Sequence, residues 1–234
     1  MLDAQKVRAI TLDLDDTLWP VAAAIRRAEA ALLVWLDLHA PMTAALFSNP
    51  LAMREVRAHL MLNRPELRHD LGAARRESIR LALYRAGEDP LLAARAYDVF
   101  FAARNQVDLY EDVPQALTWL SQRFPVIALT NGNADVHRIG IGHHFQGTLS
   151  ARQVGVAKPD PRIFLAAADM AGVLPEQVLH VGDDPVADVL GSLNVGMQSA
   201  WVNRHRLPWL QLTKPDVSVF SLGELPAWLE GNPR

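Results

Sequence analysis

The chain has 234 residues, of which 50% are hydrophobic and 21% are charged, and its formal net charge is −3. This length is sufficient for one core domain that carries a smaller inserted one, and the composition is typical of globular proteins. A weakly acidic chain without long runs of one charge sign argues against a nucleic-acid or anionic-membrane surface. The absence of cysteine excludes disulfides, thiolate catalysis and cysteine-based metal sites.

The N-terminal residues and the apolar runs give a first expectation for location. Residues 1–6 lack the basic-then-apolar pattern of a secretion signal. No apolar run approaches the roughly 18 residues of a membrane span. We therefore expect a cytoplasmic protein that binds neither membranes nor nucleic acid. The sequence leaves the oligomeric state open between a monomer and a weak dimer.

A short, mostly apolar strand is predicted at residues 7–13, and acidic residues follow it directly. The pattern of residues 20–107 is helical throughout. Proline and glycine mark the helix ends, because proline favours the first turn and glycine the position after the last. The predicted helices cover residues 22–38, a segment that starts at Asn49-Pro50, residues 66–86 and residues 89–106.

After residue 110, strands and helices alternate. This alternation predicts an α/β fold with a doubly wound, Rossmann-like parallel sheet. The helical block is then an insertion, so we expect a core of residues 1–19 and 108–234 and an all-helical domain of residues 20–107. The predicted strands cover residues 125–129, 148–150, 178–181 and 199–202, and the predicted helices cover residues 114–123, 160–172 and 184–196.

Polar residues stand where each predicted strand ends. In open parallel sheets, ligands bind beyond the carboxyl ends of the strands, so these side chains are expected to meet on one rim. Lys158, one of only three lysines in the chain, precedes a helix at the same rim. The strand-end residues are Asp13, Asp15, Asp16 and Thr17 after the first strand, Thr130, Asn131 and Gly132 after the second, and Asp183 and Asp184 after the fourth.

This set of residues suits phosphoryl transfer. Clustered carboxylates need a cation, and hard oxygen ligands suit Mg²⁺. The cation and Lys158 can together neutralise the phosphoryl oxygens. The Thr130 hydroxyl and backbone N–H groups ahead of a predicted helix from Ala134 can hold the phosphate. One carboxylate can then act as nucleophile and a second as general acid and base.

Four segments, in order and spacing, resemble the four motifs of the haloacid dehalogenase-like (HAD) hydrolase superfamily. The helical insertion after the first motif resembles the helical cap of the first type in that superfamily. Each motif alone is a weak signal, but four in order, each at a strand end, form a strong one. The segments are Asp13-Leu14-Asp15-Asp16-Thr17-Leu18, residues 128–132, residues 156–161 and residues 181–188.

The resemblance implies the roles of the acidic residues. Asp13 would attack phosphorus, and Asp15 would protonate the leaving oxygen and then activate the water that hydrolyses the aspartyl-phosphate. Mg²⁺ would be held by Asp13, by the backbone carbonyl of Asp15 and by Asp183. We assign no catalytic role to Asp16 or Asp184.

The resemblance also implies which residues bind the phosphoryl group. Thr130 and Lys158 would contact it directly, with Asn131 and Gly132 as substrate-binding neighbours. Asp188 would orient Lys158 or a metal-bound water from outside the ligand set.

Three other residues are candidates of a different kind. Arg75 is the cap residue we select for a substrate contact, against the alternative of an ordinary charged helix face. Trp19 either lines the cleft or packs at the hinge after the first motif. His180 lies inside a strand and is interpreted as a packed or hydrogen-bonded histidine.

Several rival activities share parts of this pattern with a phosphatase. A dehalogenase of the same superfamily has no use for an acid/base at Asp15. Phosphonate hydrolysis through a Schiff base needs a cap lysine, and residues 20–107 contain none. A sugar-phosphate mutase stays open, because the motifs do not separate transfer to water from transfer to a sugar.

Two rivals belong to other classes of protein. A phospho-accepting signalling module also combines aspartates, a hydroxyl residue, a lysine and Mg²⁺, but its acceptor follows a middle strand and it needs no helical cap. A catalytically dead scaffold would have lost a key residue, and none is lost here.

The substrate is expected to be a small phosphorylated metabolite. Residues 129–134 and 180–202 resemble bacterial phosphatases that act on flavin mononucleotide and on 5-amino-6-(5-phospho-ribitylamino)uracil. These two compounds are therefore the substrate hypothesis.

Overall fold

The computed structural model describes residues 1–48 and 50–231. The chain divides into two compact units. One is formed by Met1–Pro20 and the chain from Asp108 onward, and we refer to it as the sheet unit. The other is formed by Val21–Val107, and we refer to it as the helical unit.

Within the described residues, six parallel strands form one sheet in the order β3-β2-β1-β4-β5-β6. This arrangement confirms the predicted doubly wound α/β fold. A parallel sheet needs apolar cover on both faces, which explains its largely unbroken apolar strands. The strands are β1 Ala9–Leu12, β2 Val126–Thr130, β3 Gly147–Ser150, β4 Val178–Gly182, β5 Gln198–Val202 and β6 Val217–Val219.

The helical unit has its own hydrophobic core. Leu32 and Leu36 are one turn apart, so they lie on the same face of their helix and pack with Ile79 and Phe100 of two others. None of the helices in the described ranges combines the length and hydropathy that a membrane span needs. The helices of this unit are α1 Val21–His39, α2 Pro41–Phe47, α3 Pro50–Asn63, α4 Leu71–Arg85 and α5 Ala93–Arg104.

The helices of the sheet unit cover the sheet. Ile163, Phe164 and Ala167 share the apolar side of one of them and pack on Ala9 and Ile127 of the two central strands. This packing places the start of that helix beside the carboxyl end of the sheet. The helices are α6 Val113–Ser121, α7 Val136–Ile139, α8 Ala151–Val154, α9 Pro161–Ala171, α10 Gly191–Leu193 and α11 Leu225–Leu229.

Some element boundaries differ from the prediction for local reasons. The first predicted helix ends near Pro41, and Pro41 itself begins a further helix, α2, because proline fits the first position of a helix. The helix predicted from residue 66 begins at Leu71, because Asp70 accepts a hydrogen bond from the Ala73 N–H and caps it there. The predicted cap at Asn49 lies outside the described residues. Strand β6 is absent from the prediction, since it has only three residues.

Candidate active site

The carboxyl ends of β1 and β4 bring a lysine into contact with two carboxyl groups. The Asp13 N–H donates to the Val181 carbonyl at 2.9 Å, which holds the residue after β1 in register with β4. Lys158 Nζ lies 2.5 Å from Asp13 Oδ1 and 2.6 Å from Asp188 Oδ1. All three side chains are buried. The lysine therefore bridges two carboxyl groups where water screens little of their charge.

The loop that carries Lys158 is held by Asn131, which follows β2. The Lys158 N–H donates to Asn131 Oδ1 at 2.7 Å, and Asn131 Nδ2 donates to the Lys158 carbonyl at 2.9 Å. These two bonds fix the lysine backbone. The side-chain amide of Asn131 is thus directed at Lys158, and a substrate contact by Asn131 would come from its main chain.

Asp188 is supported by a buried hydrogen-bond chain. His180 Nε2 lies 3.1 Å from Asp188 Oδ1, and His180 Nδ1 lies 2.8 Å from Thr11 Oγ1. Burial lowers the pKa of His180, although Asp188 opposes this effect. Burial would raise the pKa of Asp188, but the charge of Lys158 and the hydrogen bond from His180 lower it below its usual value. An ionised carboxylate only accepts, so Nε2 carries the proton and Nδ1 accepts from the Thr11 hydroxyl.

The charges around Lys158 do not balance. Burial by itself lowers the pKa of Lys158, but the charges of Asp13 and Asp188 outweigh burial and raise it above its usual value. Lys158 is therefore a cation at neutral pH. Burial raises the pKa of Asp13 well above its usual value; Lys158 opposes this rise, and Asp188 and Asp183 add to it. When Asp13, Asp183 and Asp188 are all ionised, negative charge is in excess among these described side chains.

Asp13, Asp183 and Asp188 form a carboxylate cluster in which one oxygen atom of each lies within 4.8 Å of the other two. Burial and the charge of Asp188 raise the pKa of Asp183 to about 7. A divalent cation would relieve this repulsion, and an all-oxygen donor set suits Mg²⁺. Asp188 already accepts hydrogen bonds from Lys158 and from the Asp184 N–H. Asp13 and Asp183 are therefore the members of the cluster that fit a metal best.

Thr17, one of the predicted strand-end residues, and Trp201, which the sequence analysis did not select, hold Asp183. Thr17 Oγ1 donates to Asp183 Oδ1 at 2.8 Å, and Trp201 Nε1 donates to the Asp183 carbonyl at 2.8 Å. The sequence alone suggests for Trp201 only packing in the core or at the surface. The signal for its contact is the pairing of Gly182 with Trp201 in the β4–β5 register, which only the assembled sheet reveals.

A tight turn after β1 positions the Asp15 side chain. Trp19 Nε1 donates to Asp15 Oδ1 at 2.9 Å, and the Asp16 N–H donates to the Trp19 carbonyl at 2.8 Å. Asp16 has a φ of 62°, which is uncommon for a non-glycine residue and is best tolerated by aspartate and asparagine. Trp19 is fully buried in the sheet unit. Trp19 therefore packs in the protein interior and also orients the Asp15 side chain. The sequence predicted either packing or a position lining the cleft.

The phosphate-binding helix expected after Thr130 does not begin at Ala134. It begins at Val136, and its first N–H groups are taken by the Asp135 side chain, which caps them. The expectation of a free helix N-terminus is therefore wrong. Thr130 is buried, and its Oγ1 accepts from the Gly132 N–H at 2.9 Å. This places the Thr130 hydroxyl in a short turn at the end of β2.

Gly182 permits the approach of Asp188 to the end of β4. A Cβ at position 182 would lie 2.3 Å from the Asp188 carboxyl carbon, so a larger residue would displace that carboxyl group. Asp184 caps the turn that follows, and Pro185–Leu190 forms a π-helical turn in place of the predicted regular helix. Such turns are frequent at functional sites.

Arg204, which follows β5, braces the turn after β1. Its Nε and Nη2 donate to the Thr17 carbonyl at 3.1 and 2.8 Å, and its Nη1 donates to Asp112 Oδ1 at 2.9 Å. The guanidinium also lies 3.9 Å from the centroid of the Tyr110 ring. The sequence did not indicate this contact, because its members are far apart along the chain.

Arg75 is buried within the helical unit. Its guanidinium carbon lies 4.3 Å from the centroid of the Phe100 ring, and its Nη1 lies 3.3 Å from Glu29 Oε1. It is therefore not part of an ordinary exposed charged face. Its predicted contact with substrate stays a prediction.

The comparisons with known proteins agree with this fold. The family model for haloacid dehalogenase-like hydrolases matches residues 7–196, and the chain belongs to this family. A similar protein is the Escherichia coli K12 5-amino-6-(5-phospho-D-ribitylamino)uracil phosphatase YigB, which is 32% identical over 201 residues and 84% of each chain. The predicted resemblance to HAD-like phosphatases of this type is thereby confirmed.

Two further relatives widen the range of activities. The phosphoserine phosphatase of Thermus thermophilus is 36% identical over 160 residues, which are 66% of this chain and 64% of that protein. A crystal structure of a 2-haloacid dehalogenase from Pseudomonas syringae pv. tomato DC3000 has a TM-score of 0.90 and 37% identity, over 96% of this chain and 99% of that one. Family membership and the phosphatase relatives together make this protein a hydrolase of the phosphatase type.

Proposed function

We propose that this protein is a Mg²⁺-dependent phosphomonoester hydrolase that acts through an aspartyl-phosphate on Asp13. The observation that carries the proposal is the buried contact of Lys158 with Asp13, beside the carboxylate of Asp183. A nucleophilic carboxylate, a fixed cation and a metal-binding carboxylate are the groups that phosphoryl transfer needs.

In the first step, a carboxylate oxygen of Asp13 attacks phosphorus while the bond from phosphorus to the ester oxygen breaks. Asp15 gives its proton to the departing oxygen, which leaves as an alcohol. Lys158 and Thr130 bind the oxygens of the transferred phosphoryl group. The tryptophan N–H that donates to Asp15 holds this carboxyl group in one orientation.

In the second step, water attacks the phosphorus of the aspartyl-phosphate. Asp15, now ionised, accepts a proton from this water, and the bond from phosphorus to the Asp13 oxygen breaks. Inorganic phosphate leaves and both aspartates return to their starting states. The same carboxyl group thus serves as acid and then as base.

Asp13, the backbone carbonyl of Asp15 and Asp183 would hold the metal. When bound, Mg²⁺ supplies positive charge that offsets the charge of the phosphoryl oxygens. The excess of negative charge around Lys158 and the raised pKa of Asp183 support a cation at this place. Asp188 acts through Lys158, which it contacts at 2.6 Å.

The dehalogenase relatives make halide displacement the second candidate function. It also uses a nucleophilic aspartate, and the 37% identity to a 2-haloacid dehalogenase is the observation in its favour. Halide is a good leaving group that needs neither a proton donor nor a metal. The oriented Asp15 and the carboxylate of Asp183 therefore favour the phosphatase over the dehalogenase.

We further propose that the helical unit is the cap and the sheet unit the catalytic core of a cytoplasmic enzyme. Its substrate would be a small phosphorylated metabolite, with flavin mononucleotide and 5-amino-6-(5-phospho-ribitylamino)uracil as first candidates. The similarity to YigB supports this choice.

Phosphate release from a panel of phosphomonoesters tests the proposal. The panel holds flavin mononucleotide, the ribitylaminouracil phosphate, phosphoserine, sugar phosphates and p-nitrophenyl phosphate, each with Mg²⁺. Chloride release from 2-chloropropionate is measured in parallel. Phosphate release by the wild type supports the proposal. Chloride release without phosphate release overturns it in favour of the dehalogenase, and isomerised sugar phosphate without free phosphate indicates a mutase.

A further inference from the structure

His180 is a buried polar side chain that the steps of the proposed reaction do not use. It lies in the middle of β4 and is 1% exposed. In the register of the sheet it pairs with Thr11 of β1, so the two side chains stand next to each other on one face. The ring of Phe164 from α9 covers it edge-on, with the ring centroids 5.1 Å apart. An imidazole in such a place is costly unless both of its nitrogen atoms are paired.

Both ring nitrogen atoms of His180 are paired, and their partners have opposite hydrogen-bonding roles. Nε2 lies 3.1 Å from Oδ1 of Asp188, which as an ionised carboxylate can only accept. Nδ1 lies 2.8 Å from the Thr11 hydroxyl, which can donate to it. The two partners therefore hold the ring in one orientation and in one neutral form, with the proton on Nε2. Packing requires neither, since an apolar ring would fill the same space.

The carboxylate of Asp188 is held from three directions. Oδ1 accepts from His180 and, at 2.6 Å, from Lys158 Nζ, while Oδ2 accepts from the Asp184 N–H at 2.9 Å. The Asp184 N–H fixes one oxygen, and His180 determines the direction in which the other one faces. Without His180, the carboxyl group could turn about its Cβ–Cγ bond and draw the lysine with it.

The position of the Lys158 ammonium group depends on this carboxylate. An ammonium group has three donors. Among the residues that the structure describes, its acceptors are Asp188 Oδ1 at 2.6 Å and Asp13 Oδ1 at 2.5 Å. These two contacts set the direction of the third donor, and that direction decides how well Lys158 meets a phosphoryl group on Asp13. A small rotation of the Asp188 carboxylate would misalign it.

We propose that His180 is a positioning residue of the hydrolysis. By donating from Nε2 to Asp188, it holds the carboxylate that aims the Lys158 ammonium group at the transferred phosphoryl group. Thr11 keeps the imidazole ring in the form that can donate. The inference rests on the proposed function, which gives Lys158 its role, and it adds that the chain from Thr11 to Lys158 controls the rate of phosphoryl transfer.

Two substitutions at position 180 separate the hydrogen bond from the packing. His180→Phe fills the same space without a donor, whereas His180→Gln keeps a donor that can reach Asp188. With the best substrate of the phosphatase panel, kcat should fall at least about tenfold in His180→Phe, as for loss of a hydrogen bond to a charged group. KM should change by less than about threefold, because the chain acts on the transition state. His180→Gln should recover most of the lost kcat. Equal losses in the two variants would overturn the proposal.

Val178→Ala is the control for damaged packing. Val178 lies two positions before His180 on the same face of β4, and it packs in the same apolar cluster as Phe164. The change should lower the melting temperature but leave kcat near the wild-type value, because the hydrogen-bond chain is intact. A comparable loss of kcat in Val178→Ala would show that His180→Phe acts through a general defect of the core, which contradicts the proposal.

Nitrogen-15 NMR of the histidine side chains tests the hydrogen-bond chain without turnover. The protein has eight histidines, and the signal of His180 is the one that His180→Gln lacks. We expect a protonated Nε2 and an unprotonated Nδ1, with an Nε2 proton that exchanges slowly because the ring is buried. Thr11→Val removes the hydroxyl, so it should shift the Nδ1 resonance and lower kcat by a smaller factor than His180→Phe. A proton on Nδ1 and none on Nε2 would refute the proposal, because such a ring cannot donate to Asp188.

The same measurements separate this inference from the proposed function. A wild-type protein that releases no phosphate from any member of the panel overturns the proposed function, and this inference with it. Wild-type turnover that continues unchanged in His180→Phe overturns this inference alone and leaves the proposed function intact.

Discussion

The ammonium group of Lys158 lies 2.5 Å from the carboxylate of Asp13, although the two residues are 145 positions apart in the chain. The contact exists because β1 and the loop before α9 end at the same rim of the sheet. It places the positive charge of the lysine beside the carboxylate that we propose as nucleophile. The same charge is then in position to meet the phosphoryl group that the carboxylate attacks.

Asp13→Asn should abolish turnover while leaving the fold intact. The amide has the shape of the carboxylate but is a poor nucleophile, and phosphate release should fall by at least about a thousandfold. The melting temperature should stay close to that of the wild type, because Asp13 is one of several crowded carboxyl groups whose repulsion the change relieves. Asp16→Asn is the control and should stay active. A near wild-type rate in Asp13→Asn would rule out covalent catalysis by this residue.

Trp19→Phe should impair the acid role of Asp15 in a way that depends on the leaving group. The variant keeps most of the packing but loses the hydrogen bond from Nε1 to Asp15 Oδ1. For an alkyl phosphate, kcat/KM should fall by about tenfold or more, the effect of one hydrogen bond to a charged group. For p-nitrophenyl phosphate, whose leaving group needs no proton, the fall should be much smaller. Equal losses on both substrates would indicate a general structural defect.

Removal of divalent metal should stop turnover, and Mg²⁺ should restore it. Mg²⁺ should also raise the melting temperature of the wild type, because a ligand that binds only the folded state stabilises it. Asp183→Asn should lose most of this stabilisation. Asp184→Asn should keep it, because asparagine can replace the Asp184 cap and that side chain belongs to the turn. Full activity in excess chelator would remove the metal from the mechanism.

Arg204→Met should destabilise the sheet unit by about 3 kcal/mol, the usual cost of breaking a largely buried ion pair. The change leaves the Thr17 carbonyl and Asp112 without their guanidinium partner. A urea titration measures the effect. Arg162→Met is the control, since its side chain is 68% exposed and its ion pair is expected to contribute little.

The effect of Arg204→Met should also depend on pH. Burial would raise the pKa of Asp112, but the hydrogen bond and charge of Arg204 hold it below its usual value. A carboxyl group with a lowered pKa in the folded state contributes stability that is present above its unfolded pKa and is lost as the pH falls through its folded pKa. The difference between wild type and variant should therefore shrink below about pH 4. A difference that stays constant down to pH 2 would contradict this account.

Local patterns predicted most of the fold and of the candidate site. An apolar run that ends in Asp13 or in Asp183 marks both a buried strand and its polar end, so the sheet and its functional rim could be read together. The misses were short or locally ambiguous elements. A three-residue strand at Val217–Val219 has too few residues for a pattern, and Pro41 is compatible with the end of one helix and the start of the next.

By itself, the sequence determined which residue types stand at the strand ends, because that depends only on neighbours along the chain. Only the tertiary structure decided how they are oriented. Arg204 reaches the Thr17 carbonyl across 187 positions, and Trp201 reaches Asp183 through the register of two neighbouring strands. Such contacts depend on the pairing of distant segments and on the space between packed side chains. For the same reason, the burial of Arg75 became visible only when the helices were assembled.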